Sequence, residues 1–438
     1  MERAKLIIKN FGPLKDIDIE VREMVTFIGT QASGKSTLSK LISIFEDERF
    51  RKYDNNSFIQ ELKNYNIFSY LNENTYILYD SFSNKDFPVF NFEYEEQKAS
   101  KFSILRKFNL RKTHIDDSDY SEKELIFKDL IKKNINDHNL IFDHSFYKIF
   151  DDSNQIQKFK KKFKDKTIVN GDDVNEVLKI LNKELLIENY SLLFNKIINS
   201  FPHIFQFDSI YIPSERNFIH LIAENTLGLI NNNVQIPKHL LSVGQEYEKA
   251  IQTVKELPLT IIDKNFKYKR EGKTSYIYHN KNEKVDLLES ASGLQSIIPI
   301  LLLVEYSKSL KEKYNFNFVV EEPELNLYPK AQHELIKYLV KNCLFERKNL
   351  ILTTHSPFVL ASINNLLLAF DKGKTNPKEV NKIVKKESWL NPKNFIAYEL
   401  KNGKAKKIMD DNLGQIKENM IDGVSDAFAD EFDKLLDL

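Results

Sequence analysis

The apolar run Met24-Val25-Thr26-Phe27-Ile28 leads without a break into Gly29-Thr30-Gln31-Ala32-Ser33-Gly34-Lys35-Ser36-Thr37. Leu38, Leu41, Ile42 and Phe45 then recur at helical spacing. A buried strand, a glycine loop and a helix in that order dictate a parallel sheet with the loop at its carboxyl edge. The loop fits GxxxxGK[ST] at every fixed position. Its glycines let backbone N–H groups turn toward phosphate oxygens, and the following helix offers its N-terminus to the same charge. Lys35 is placed to reach the β- and γ-phosphates of ATP, and the Ser36 hydroxyl to ligate Mg²⁺.

Later elements alternate in the same manner, so the expected class is α/β: a P-loop core with a mostly parallel sheet, plus a largely helical insertion. Residues 1–50 form the first part of the core. Strands are expected at 5–11 and 17–21, around a turn at Gly12-Pro13. From 51 to 205 the pattern changes: strands at 75–79 and 88–94, then apolar and charged residues at helical spacing from about 120 to 200. Residues 206–370 resume the core, with strands at 208–212, 259–262, 274–278, 317–322 and 349–355. Helices are expected from 292, with Pro299 near its first turn or kinking it, and at 329–342. Residues 371–438 complete it with strands around 395–400 and a terminal helix.

The 64 basic and 63 acidic residues nearly cancel, so no overall charge argues for a nucleic-acid or membrane partner. Cys343 is the only cysteine, which excludes a disulfide framework or a cysteine metal cluster. The charged opening MERAKLIIKNF is no signal peptide, and no run reaches membrane-spanning length. The expected location is cytoplasmic.

Three further motifs carry chemistry. The strand Phe318-Val319-Val320 delivers Glu321 and Glu322 to the carboxyl edge. Glu321 is placed to hold Mg²⁺, directly or through water, and Glu322 to orient or deprotonate an attacking water. The strand ending Thr353-Thr354-His355 places a histidine at the γ-phosphate or that water, and its spacing from Glu322 suits a strand–helix–strand unit. Ser290-Ala291-Ser292-Gly293 opens an apolar helix. Two readings of it stay open: Ser292 caps the helix, or Ser292 and Gly293 face a phosphate held by a second copy.

Taken in order, these motifs resemble the ABC-type ATPase head of the SMC, RecF and OLD-like group. The opening IKNFGPLKDIDIEV resembles that group's N-terminal strands, EEPELNLYP its extended Walker B and D-loop, and TTHSPFVLASI its switch-histidine segment. SASGLQSIIPILL resembles the signature of small prokaryotic AAA-type ATPases of antiphage defence loci. The resemblance implies a head-to-head dimer with ATP at the interface, in which Ser292 and Gly293 contact the γ-phosphate bound by Lys35 of the other copy. Two departures stand out. Glu321 occupies the usual Walker B aspartate position, and Ala291 the position where many ABC proteins have serine.

Other signals are weaker. Gln60 is a candidate glutamine-loop residue or a surface glutamine. Arg216, in Pro213-Ser214-Glu215-Arg216-Asn217, contacts a phosphate or partner, or is structural and paired with a carboxylate. Asn10 and Phe11 lie near the base or are strand residues. Lys158–Lys166 touches nucleic acid or is a solvated helix face. His138 and His144 have no trusted metal spacing. No Glu-Gly-x-x-Asp pattern follows His355, so a nuclease, if the pathway uses one, is expected on a separate effector protein. Three functional readings follow: an ATPase sensor or regulator of antiphage defence gating such an effector; a RecF- or SMC-like DNA-repair or chromosome-maintenance ATPase that binds DNA; and an ATP-binding scaffold with little hydrolysis.

Overall fold

The computed structural model describes residues 4–47, 50, 57–80, 89–95, 105–109, 140–141, 167–168, 207–223, 228, 236–280, 283–310, 315–344 and 349–437. The chain opens with β1 (Ala4–Phe11), β2 (Leu14–Val21), β3 (Met24–Gly29) and α1 (Lys35–Phe45). Then come α2 (Ser57–Asn64), β4 (Tyr76–Asp80), β5 (Val89–Glu95) and β6 (Leu105–Asn109). After β7 (Phe207–Ile212) and α3 (Lys238–Thr253) there is a small antiparallel sheet: β8 (Glu256–Pro258), β9 (Lys267–Glu271), β10 (Thr274–Tyr278) and β11 (Lys284–Asp286). The rest is α4 (Ser292–Ser309), β12 (Asn315–Glu321), α5 (Pro329–Cys343), β13 (Leu350–Thr354), α6 (Pro357–Gly373), α7 (Pro377–Ile383), β14 (Phe395–Lys401), β15 (Lys404–Lys407) and α8 (Met420–Leu436).

One eleven-stranded sheet organises the molecule, in the order β6-β5-β4-β1-β2-β15-β14-β3-β13-β12-β7. From β14 to β7 all pairings are parallel. These strands read as near-continuous apolar runs because both faces are covered; every residue of β3 and β13 is buried. From β6 to β2 the pairing is antiparallel. There β1 and β2 alternate buried and more exposed residues along much of their length. So β4 to β6 extend the same sheet as the first hairpin, although they lie in the 51–205 stretch. The helical pattern expected from about 120 to 200 lies outside the described residues, apart from a short pairing of Leu140–Ile141 with Thr167–Ile168.

Helix α1 crosses the parallel strands and buries Leu38, Leu41, Ile42 and Phe45, the apolar series its spacing predicts. At its end the Phe45 ring stacks on Tyr79 at 4.9 Å and meets Phe92 at 5.1 Å, which ties the helix to the antiparallel wing. Glu46 follows and is buried, but its polar atoms are served. Tyr79 donates to its carboxylate, Asn349 donates to Oε2 at 2.7 Å, and Asn317 donates to its carbonyl at 3.1 Å. The P-loop helix is thereby fastened to β12 and the strand beside it.

One expected element is absent. Residues 259–262 form a turn, not a strand: the Ile262 and Asp263 N–H groups both donate to the Leu259 carbonyl. Pro258 ends β8, and Leu259 is fully buried beneath the turn while Ile261 and Ile262 pack on the core. The apolar run reflects burial, not pairing. No described helix is long and apolar enough to cross a membrane. Helix α8, opened by an Asn419–Asp422 capping box, exposes Val424, Phe428, Phe432, Leu435 and Leu436.

His220 is 3% exposed, and burial lowers its pKa to about 4. The unfolded ring, near 6.5, binds a proton that the folded ring refuses, so its contribution to stability is full above about 6.5 and falls as pH drops toward 4. The expected loss is about 3 kcal/mol at most. Urea unfolding at pH 7.5 and pH 5 should show a larger acid loss in the wild type than in His220→Gln; equal losses would refute it. Comparing the two proteins cancels the carboxylates they share.

Candidate functional site

Register brings the motifs to one edge. Glu321 of β12 pairs with Thr353 of β13, and Thr353 with Phe27 of β3. The three parallel strands end together, so Gly29, Glu322 and His355 stand at the same edge. The strand leading to His355 lies between the P-loop strand and the strand carrying Glu321.

In the loop after β3, Gly34 has φ +98°, and a Cβ there would lie 2.6 Å from Leu14 Cδ2. Only glycine fits without strain. Ala32 is also left-handed, with φ +58°, a conformation that helps aim successive N–H groups into one concavity. Gly34 caps α1 without any side-chain bond, so the first N–H groups of the helix are not claimed by a capping side chain. Lys35 is 6% exposed and donates to the Gly29 and Thr30 carbonyls, each at 2.9 Å. Burial lowers its pKa, while Glu322, Glu321 and Glu324 oppose that shift. Thr30, Gln31, Ala32 and Ser36 are exposed along the loop, Ser33 is half-buried, and Thr37 is buried behind it.

Glu321 is 3% exposed, and its Oε1 has no hydrogen-bond partner among the described residues. Burial raises its pKa, against the influence of Tyr211, Ser36 and Lys40. Glu322 differs: it is partly exposed, and His355 first, then Lys35 and Arg216, hold its carboxyl below the usual range. His355 Nε2 lies 3.5 Å from Glu322 Oε1. Two neighbouring carboxylates thus have pKa values pushed in opposite directions by their surroundings.

Three positions escaped the sequence reading. Glu324 Oε1 accepts from the Thr354 hydroxyl at 2.7 Å and the His355 N–H at 2.8 Å, tying the loop after β12 to the histidine. Thr353 accepts the Glu322 N–H at its carbonyl (3.0 Å) and hydroxyl (3.2 Å). Tyr211, buried on β7, faces Glu321. The third acid of Glu321-Glu322-Pro323-Glu324 was a visible signal for the first; the others have none.

At the start of α4 the cap is Ala291, with no side-chain bond, so Ser292 does not cap the helix. The Ser290 hydroxyl is engaged with the Leu287 carbonyl at 2.7 Å. Ser292 is exposed, and a Cβ on Gly293 would lie 2.7 Å from the Asn326 carbonyl. The glycine therefore lets the helix start press against the loop after β12.

Gln60 is an exposed helix residue that donates to Asn64 at 2.9 Å. Asn10 is exposed at a left-handed position, and Phe11 is buried edge-on against Tyr70. Arg216 is fully buried and donates to the main-chain carbonyls of Ser296, Pro213, Glu321 and Glu322. Lys158–Lys166, His138 and His144 lie outside the described residues.

A family model of the AAA ATPase domain matches residues 1–360, a span that takes in the P-loop, both acids and His355. The chain belongs to the AAA ATPase domain family. No curated protein matches it. Among solved structures, an SMC head bound to the C-terminal winged-helix domain of ScpA aligns with 92% of this chain and 96% of its own, at 9% identity and a TM-score of 0.39. The SMC head domain from Thermotoga maritima aligns with 93% and 98%, at 12% identity and 0.37. The Smc head with an extended coiled coil bound to the C-terminal domain of ScpA, from Pyrococcus furiosus, aligns with 92% and 95%, at 10% and 0.37.

For this AAA ATPase domain the geometry makes Glu324 a support of His355. Glu324→Ala removes the acceptor for the His355 N–H. The expected result is a fall of roughly 100-fold in kcat for ATP hydrolysis, from misplacement alone, with ATP affinity unchanged. A fall in affinity with kcat intact would show that Glu324 serves the nucleotide instead.

Proposed function

We propose that this chain binds Mg²⁺–ATP at the edge described above and hydrolyses it. The observation that carries the reading is the unpartnered Glu321 oxygen, buried beside Ser36 at the mouth of the loop that holds Lys35. A buried carboxylate oxygen without a partner is costly, and with the Ser36 hydroxyl it makes the oxygen-donor set that Mg²⁺ prefers. The residues fit the ion, and glutamate in place of aspartate keeps the charge. Bound there, Mg²⁺ would neutralise charge on the β- and γ-phosphates.

The chain's own groups divide the remaining work. Gly29–Thr37 would cradle the phosphates with N–H groups, and the Lys35 ammonium would meet the β- and γ-oxygens. Glu322, kept ionised, would accept the proton of a water attacking the γ-phosphorus, as the bond to the ADP oxygen breaks. His355, beside Glu322, would orient that carboxylate and the water. Ser292 and Gly293 would complete the site from a second copy in a head-to-head dimer. The uncapped start of α4 supports this role, and so do Tyr328, 78% exposed on the loop after Glu322, and Phe358, 49% exposed in the first turn of α6 after His355.

In the cell, ATP binding would close the dimer and hydrolysis reopen it, which would hold or release a separate effector, a nuclease, in antiphage defence. The SASGLQSIIPILL resemblance supports this assignment. Steady-state hydrolysis by the pure protein, with and without duplex DNA, tests it. Glu322→Gln should lose about 100-fold or more while still binding ATP, and Lys35→Ala should lose ATP binding. A wild-type rate no faster than that of Glu322→Gln would leave only a scaffold, and DNA-stimulated turnover would replace the effector reading with direct DNA engagement. Lys35→Ala in the native locus should abolish protection in phage plating.

A further inference from the structure

Helix α4 carries a defect in its own hydrogen-bond ladder. Pro299 has no N–H, so the Gln295 carbonyl four residues earlier loses its helical donor. His220 replaces it, with Nε2 2.9 Å from the Gln295 carbonyl. A carbonyl only accepts, so Nε2 carries the proton and Nδ1 accepts from the Tyr247 hydroxyl at 2.8 Å. One residue along, Arg216 Nε donates to the Ser296 carbonyl at 3.0 Å.

The same guanidinium reaches the acidic edge. It donates to the Glu321 carbonyl at 2.7 Å, the Glu322 carbonyl at 2.6 Å and the Pro213 carbonyl at 3.2 Å. Arg216 is 0% exposed, and a rigid planar fork suits several fixed acceptors better than a lysine does. Glu322 needs this support: its φ is +42°, a conformation that L residues adopt at a cost and keep only when neighbours hold them. Arg216 holds its carbonyl, and Thr353 holds its N–H.

We infer that residues 213–220 form a bracket that couples the Ser292–Gly293 end of α4 to the backbone conformation of Glu322, with Arg216 as the positioning residue. Whatever presses on Ser292 and Gly293 is carried through the proline-weakened first turns to His220 and Arg216, and from Arg216 to the residue proposed to take the proton. The coupling rests on the hydrolysis proposed above for its kinetic consequence, but not for its mechanical one.

Two measurements separate these. Hydrogen exchange of Glu322–Leu327 is read in the wild type, His220→Leu and His220→Leu/Pro299→Ala. His220 does not bond that loop; the bracket requires exchange there to rise in His220→Leu. It should return toward the wild type when Pro299→Ala restores the ladder donor. Unchanged exchange in a folded His220→Leu protein overturns the bracket, and His220→Phe, which also lacks a donor, stands in should His220→Leu not fold. In kinetics, Arg216→Lys should lower kcat on the order of tenfold while ATP affinity stays within about twofold. Combined with Ser292→Glu, it should be no slower than the slower single variant. Parallel losses of affinity, kcat and melting temperature would make Arg216 merely structural, and multiplying effects would overturn the coupling. A wild type without hydrolysis refutes the proposed function, and the exchange experiment still decides the bracket.

Discussion

Everything at the candidate site depends on one row of register across three parallel strands. Glu321 pairs with Thr353 and Thr353 with Phe27, so the loops that follow start at a common level. A slip of one residue in β12 would turn Glu321 to the opposite face of the sheet, because side chains alternate. The register has its own locks. The Asn349 N–H donates to the Asn317 side-chain oxygen at 2.8 Å, and both asparagines reach buried Glu46 at the end of α1. The helix that begins at Lys35 therefore fixes, at its other end, the strands that deliver Glu322 and His355.

The edge also concentrates charge. Glu321, Glu322 and Glu324 lie within four positions of one another, and Glu321 and Glu324 are raised by burial. Lys35 and Arg216 are lowered by burial, Arg216 to about 10, and these acids resist both shifts. Unpaired buried charge is costly, so the acids and the bases make each other's burial tolerable. Glu321 and Glu324 each still carry an oxygen without a partner among the described residues. Under the proposed function, the Glu321 oxygen is the one that Mg²⁺ would take up.

The legible part of this arrangement was written in side chains at fixed spacing. The P-loop, the acid pair, His355 and the parallel strands that present them follow from apolar runs ending in polar residues. Arg216 was visible as an arginine, but its partners are main-chain carbonyls, and these leave no mark on a sequence. Its anticipated roles, contact with a phosphate or a partner and pairing with a carboxylate, all looked for partners other than its own main chain. The 259–262 run misled because burial beneath a turn and burial in a strand select the same residues. Pro299 is expected near the first turn or as a kink, whereas its larger effect is the carbonyl it leaves to His220.

That carbonyl ties local chemistry to behaviour at a distance. A continuous α-helix answers its own carbonyls and needs no neighbour to do so. With Pro299 in the ladder, the start of α4 depends on residues 213–220, which also hold the strained backbone of Glu322. A left-handed glutamate without such support would relax toward ordinary conformations and carry its carboxylate away from His355. Strain at the acid and weakness in the helix are thus two ends of one linkage. A fully satisfied α4 would make its first turns indifferent to His220 and would weaken the link between Ser292–Gly293 and Glu322.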